Sequence, residues 1–169
     1  MRAIKSGEGD LFIAGGVEGM SRGPFVISKA ESGFATDQKM YDSSFGWRFI
    51  NPEMEKTYGV EAMGKTAENL AEMYKISREE QDEFALNSQM KATKAQESGR
   101  LAEEISDIVI PQRKGDPILV NRDEFIKPNS NLEILGKLKP AFVKENGTVT
   151  AGNASGLNDG AAAMIIASG

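Results

Sequence analysis

The residues best suited to chemistry lie in one stretch, Gly147-Thr-Val-Thr-Ala-Gly-Asn-Ala-Ser-Gly-Leu-Asn-Asp-Gly-Ala-Ala-Ala-Met-Ile-Ile-Ala167. A short β-prone segment, Thr148 to Thr150, enters a loop carrying Gly152, Gly156 and Gly160, and an apolar run, Ala161 to Ala167, leaves it. Glycine lets a backbone approach a ligand closely. Small residues crowded between two buried strands read as a tight binding loop on a sheet. A hydroxyl on such a loop, here Ser155, suits a hydrogen bond to an amide of an extended ligand. The alternative reading of Ser155 is a hydroxyl that merely stabilises its own loop. The chain has no Cys and no His, so it cannot by itself supply a thiolate nucleophile or an imidazole to activate one.

As a string, this stretch closely resembles the Asn-x-x-Ser-Gly-x-Asn-Asp-Gly-Ala motif of the thiolases, which make or cleave β-ketoacyl-CoA. Ala14-Gly-Gly-Val-Glu-Gly-Met-Ser21 is similar to the family's Ala-Gly-Gly-x-Glu-x-Met-Ser pattern, with Gly19 where serine is common. The resemblance covers essentially the whole chain and implies an internal portion of a longer enzyme. The family's Cys-x-Ser-Gly nucleophile motif is expected upstream, and its Asn-Glu-Ala, Gly-His-Pro and second-cysteine motifs downstream. No residue of this chain is therefore assigned a catalytic role.

The resemblance further implies that an inserted loop domain cradles CoA. Ser155 matches the serine that contacts the pantetheine arm, and Ala151 and Gly156 line the same channel. Met63 matches a methionine beside the acyl and thiol end, where a flexible thioether fits varied chains; it reads equally well as plain core. Many acetoacetyl-CoA thiolases carry histidine just before this methionine, and here the residue is Ala62, which puts that specificity in doubt. Lys127 falls where some members carry an arginine near the adenine and phosphate end, and Leu138 and Phe142 offer apolar contact there. Lysine supplies a point charge but no planar stacking surface, and a surface lysine without a role is the competing reading. Gly46-Trp-Arg-Phe-Ile-Asn-Pro52, Tyr58-Gly-Val-Glu-Ala-Met63 and Pro111-Gln-Arg-Lys-Gly-Asp-Pro117 look most like the β-ketoadipyl-CoA thiolases, with acetyl-CoA acetyltransferase as the alternative. A distal carboxylate needs a cation or several donors, and Arg48 is one candidate.

Composition narrows the other classes. A net charge of −5 with scattered basic residues argues against a nucleic-acid surface. The longest apolar runs, Leu11 to Ala14 and Ala161 to Ala167, are too short to span a bilayer. Without cysteine no disulfide forms, nothing argues for secretion, and a cytoplasmic location is expected. The sequons at Asn146 and Asn153 read as chance. No metal site and no covalently bound cofactor are expected, and acyl-CoA enters as substrate. The full-length enzyme is expected to be a homo-oligomer, dimer or tetramer. A non-catalytic CoA-binding or oligomerisation module is the competing class.

The elements that must position these residues follow from local signals. Met1 to Gly7 reads as the last turns of a helix. Asp10 to Gly16 reads as a strand buried on both faces, as in a parallel sheet. Arg22 to Tyr58 has no clear period but holds most of the aromatics, which either anchor an irregular loop or pack on another subunit. A helix starts near Lys65 or Thr66 and runs to about Lys75. A second, opened by the capping box Ser77-Arg-Glu-Glu80, runs to Ser98 with Gly99 beyond it. Its Ala85, Ser88, Ala92 and Ala95 form a narrow face of small side chains. The acidic run Arg78 to Glu83 reads as a solvated first turn that complements the helix dipole, with metal binding as the weaker reading. Ile105 to Pro111 and Ile118 to Asn121 read as strands joined by a turn at Arg113 to Asp116. Asn131 to Gly136 reads as a short helix. The implied architecture is α/β, a partial thiolase fold: residues 1–21 hold a core strand of the N-terminal domain, 22–146 a mostly helical loop domain, and 147–169 the returning core strands.

Overall fold

A computed structural model describes residues 1–169, which divide into two compact units. The first comprises Met1–Val60 and Gly156–Gly169. It contains helix α1 (Arg2–Lys5), strand β1 (Leu11–Glu18), strands β2 (Phe25–Ile27) and β3 (Met40–Asp42), helix α2 (Pro52–Tyr58) and the last strand, β6 (Gly160–Ala167). The second unit, Glu61–Ser155, contains helices α3 (Met63–Tyr74) and α4 (Arg78–Glu97), strands β4 (Ile108–Ile110) and β5 (Ile118–Val120), and helix α5 (Leu132–Gly136). The mixed α/β class is as expected.

In the first unit β1 pairs antiparallel with β6, Leu11 opposite Ala167 and Glu18 opposite Gly160. This corrects the expectation of a strand buried in a parallel sheet. Both faces of the ribbon are apolar. Ile13 and Ile165 share one face, Ala14 and Met164 the other, and the ribbon's side chains are mostly exposed. The continuous apolar run is real, but no other element of this chain covers it. Between these strands, Arg22 to Tyr58 is not structureless: β2 and β3 form a hairpin with Val26 opposite Tyr41, and Asn51 caps α2 through its side chain, with Pro52 at the first helical position. Most aromatics of this segment are exposed, and only Tyr41 and Phe49 meet edge to face, 5.3 Å between ring centres.

The second unit holds the small apolar core, Ala71, Leu135 and Val149. Helix α3 begins at Met63, slightly earlier than expected, and ends where Lys75 takes the left-handed conformation. The capping box of α4 is present in both directions: the Glu80 N–H donates to Ser77 Oγ at 3.1 Å, and the Ser77 N–H donates to Glu80 Oε2 at 2.7 Å. Ser98 closes the helix, and Gly99 follows at φ 79°. The hairpin of β4 and β5 turns through Arg113 to Asp116 as expected, although β4 is shorter than Ile105 to Pro111. Asn131 caps α5 by accepting from the Ile134 N–H at 2.9 Å.

Thr148 to Thr150 is not a strand, contrary to the reading from its β-branched residues. Its backbone donors go to side chains instead of a neighbouring strand. Thr148 and Val149 donate to the Glu68 carboxylate, and Thr150 donates to Asn153 Oδ1 at 2.7 Å.

Candidate functional site

Helix α3 places Glu68 and Ala71 three residues apart on its buried side. The Glu68 carboxylate accepts the Thr148 N–H at 2.9 Å, the Thr148 hydroxyl at 2.8 Å and the Val149 N–H at 2.9 Å. Burial opposes its ionisation, but the N–H groups of Val149 and Thr148, the Thr148 hydroxyl and the Lys65 charge outweigh that penalty. The carboxyl is held below its ordinary range. One buried charge thus fixes the entry to the glycine-rich loop.

A second charged group fixes its turn. Asp82 on α4 is only 4% exposed. Its Oδ2 accepts from Arg78 Nε at 2.7 Å, and its Oδ1 accepts from Asn153 Nδ2 at 2.9 Å. Asn153 Nδ2 also donates to the Thr148 carbonyl at 2.9 Å. Arg78 Nη2 donates to the Leu135 and Leu138 carbonyls at 2.7 and 3.1 Å, at the end of α5. Burying an ion pair is costly unless its remaining donors and acceptors are satisfied, and here both Asp82 oxygens and the Arg78 Nε and Nη2 groups have partners. Beneath the turn, a Cβ at Gly152 would stand 2.5 Å from Leu138 Cδ1 and 2.6 Å from Leu135 Cδ2. Only glycine permits that approach. The acidic run is therefore not wholly a solvated first turn: Asp82 faces inward, three residues before Ala85.

The sequence-predicted residues fall into three groups. Ala151, Ser155 and Gly156 are exposed on or just beyond this pinned turn. Ser155 closes the second unit, and none of the bonds that hold the turn uses its hydroxyl. Met63 opens α3 and is exposed. Phe142 lies so close over Gly64 that any Cβ there would collide with its ring. Met63 and Phe142, assigned to opposite ends of the ligand, are thus brought to the same helix start. Leu138 sits under Gly152. Lys127 stands apart from this group. Its N–H donates to Gln89 Oε1 at 2.8 Å, and its Nζ lies 5.4 Å from the Phe125 ring centre, a cation–π geometry. In the first unit, Arg48 Nη1 donates to the Gly46 carbonyl at 3.2 Å.

Sequence reasoning missed Glu68, Arg78 and Asp82. The signal for the last two was present: an Arg-x-x-x-Asp spacing on a helix, with the aspartate one turn before the small-residue face. In the first unit Asp159 Oδ1 and Oδ2 accept the Ser21 N–H and hydroxyl at 2.8 and 2.6 Å. The Ser21 hydroxyl, then its N–H, hold the Asp159 carboxyl below its ordinary range. A cavity of about 470 Å³ beside this pair is lined by Met20, Ser21, Phe45, Leu157, Asn158 and Asp159. None of the sequence-predicted residues lines it.

The family model described as "Thiolase, N-terminal domain" matches residues 1–169. The 3-oxoadipyl-CoA/3-oxo-5,6-dehydrosuberyl-CoA thiolase of Escherichia coli (strain K12) is 56% identical over 167 residues, which is 99% of this chain and 41% of the relative. The "Probable acetyl-CoA acyltransferase" of Staphylococcus aureus (strain COL) is 49% identical over 168 residues, again 99% of this chain and 41% of the relative. The crystal structure of human mitochondrial 3-ketoacyl-CoA thiolase in complex with CoA superimposes with a TM-score of 0.77 at 37% identity, covering 99% of this chain and 40% of that one. The chain therefore spans about 41% of the length of the relatives it matches.

Proposed function

The chain belongs to the thiolase family, matching its N-terminal domain, and on that premise we propose that it forms the CoA-binding wall of a β-ketoacyl-CoA thiolase. In that reaction the bond between the α and β carbons of the substrate breaks. The acyl part passes to the thiol of a second CoA, and acetyl-CoA leaves. The thiolate and the proton-transfer groups come from segments outside these 169 residues. This chain's contribution is to bind and orient. Ser155 donates to an amide of the pantetheine arm, Ala151 and Gly156 keep the channel narrow, and Met63 borders the acyl end. Lys127 is assigned to the nucleotide end, whereas Phe142, packed over Gly64, and Leu138, packed under Gly152, support the helix start and the turn. The observation that carries the reading is the Ser155 hydroxyl: exposed, unused by its own loop, and set directly after a turn held by two buried carboxylates. A solved relative with CoA bound supports the same ligand class.

The substrate proposed is β-ketoadipyl-CoA, after the names of the relatives above 50% identity. Arg48 is the cation offered to its distal carboxylate. Acetoacetyl-CoA is the alternative. A homo-oligomer is proposed for the full-length enzyme. The test is a hybrid in which this chain replaces the 167 matched residues of the Escherichia coli relative. Thiolysis of β-ketoadipyl-CoA to succinyl-CoA and acetyl-CoA is expected. A folded hybrid that cleaves neither β-ketoacyl-CoA would count against the proposal.

A further inference from the structure

We infer that Asn153 is a positioning residue for Ser155, and that the Arg78–Asp82–Asn153 relay sets the enzyme's affinity for CoA. The inference rests on the reading of Ser155 as a pantetheine contact. Three hydrogen bonds leave the Asn153 side chain: from the Thr150 N–H to Oδ1 at 2.7 Å, and from Nδ2 to Asp82 Oδ1 and to the Thr148 carbonyl, both at 2.9 Å. An amide side chain has four such valences, so Asn153 is close to saturated and has one orientation that satisfies it. Thr150 is fully buried, and its hydroxyl accepts the Gly152 N–H at 3.1 Å. The turn is therefore fixed from both ends, and Ser155 follows only two residues after Asn153.

The charge placement favours this role over simple stability. An apolar contact could hold a loop at lower desolvation cost than a buried carboxylate and guanidinium. What a buried polar network adds is a single orientation of the groups it joins. Arg78 fixes Asp82, Asp82 fixes the amide of Asn153, and the amide fixes the turn that presents the hydroxyl. Only the last of these touches ligand. The other three act through it.

The hybrid enzyme described above provides the test. Asn153→Asp sets a carboxylate against Asp82 and removes the donor to Thr148. We expect KM for CoA to rise about threefold to tenfold, within the lower part of the range of couplings between neighbouring residues, while kcat stays nearly constant. Adding Asp82→Asn restores an amide–carboxylate pair of reversed polarity and recovers part of the rise, the donor to the Thr148 carbonyl remaining absent. The decisive readout is the cycle with Ser155→Ala. If Asn153 acts through Ser155, Asn153→Asp has no further effect on KM once the hydroxyl is gone. Equal effects in both backgrounds, or no effect in either, overturn the inference while a KM rise in Ser155→Ala alone leaves the CoA reading standing. An unchanged KM in Ser155→Ala overturns that reading and the inference with it. Should Asn153→Asp fail to fold, Asn153→Ala enters the same cycle and is judged by the same outcomes.

Discussion

Glu68 and Val149 stand 81 residues apart in sequence and 2.9 Å apart in space, the Val149 N–H donating to Glu68 Oε1. The same carboxylate takes both donors of Thr148. A glutamate on the buried side of α3 thus does for the loop entry what a neighbouring strand would do for an extended segment. Replacing it by glutamine turns one acceptor oxygen into an NH₂ aimed at N–H groups. Bonds to charged groups contribute about 1.5–3 kcal/mol each and orphaned buried donors cost about 1–3 kcal/mol. Glu68→Gln should therefore raise the exchange rates of the Thr148 and Val149 amides at least about tenfold. Unchanged protection, read by hydrogen exchange and NMR, would mean the contact carries no energy.

The same residue gives the second unit an acid sensitivity of known sign. Its folded pKa lies below the ordinary value of 4.5. The unfolded chain therefore binds the proton more readily, and the stabilisation is full above that value. It is lost as pH falls through the lowered folded pKa. Urea midpoints measured at stepwise pH should fall more steeply for the wild type than for Glu68→Gln below the ordinary glutamate range, and the two curves should converge in strong acid. Parallel curves would assign the acid sensitivity elsewhere.

The isolated chain should show no thiolase activity, because it contains neither cysteine nor histidine. Purified protein would be assayed for thiolysis of acetoacetyl-CoA and β-ketoadipyl-CoA. Turnover above buffer that survives repurification would require a nucleophile of another kind.

Binding of free CoA to the isolated chain should also be weak, at about millimolar or worse. One wall of a channel makes few contacts, while association costs roughly 4 kcal/mol or more before any gain appears. Calorimetry at millimolar CoA measures this directly. A micromolar dissociation constant would favour a self-sufficient CoA-binding module.

What was legible in the sequence was local. The Ser77–Glu80 capping box, the Arg113–Asp116 turn and the short helix at Asn131 to Gly136 each depend on residues within a few positions, and each formed. Thr148 to Thr150 misled, because β-branched residues suit a strand but cannot reveal that a helix 80 positions earlier offers a carboxylate to their N–H groups. Asp82 misled for the opposite reason. Acidic residues in a first turn are usually solvated, and here one of them turns inward to a partner 71 residues on. The apolar pattern of β1 predicted a covered strand, and pairing direction and cover are properties of other elements, not of the pattern. For the candidate site, the motif supplied Ser155 and its glycines. The groups that hold them came from helix positions to which the sequence reading gave no site role.

Ser155→Ala in the hybrid enzyme separates binding from chemistry. The Ser155 hydroxyl is exposed and free of the bonds that hold its own turn, so its removal should leave the fold intact and the melting temperature nearly unchanged. Set against the pantetheine arm, it lies remote from the carbon–carbon bond being broken. A hydrogen bond made equally in the ground state and the transition state contributes uniform binding, and its loss appears in KM while kcat is unaffected. A neutral bond of this kind contributes about 0.5–1.5 kcal/mol, so KM for the acyl-CoA should rise roughly tenfold or less. Steady-state kinetics of the hybrid and the mutant give the answer. A large fall in kcat at constant KM would place the hydroxyl at the reacting thioester, and the pantetheine assignment would have to be given up.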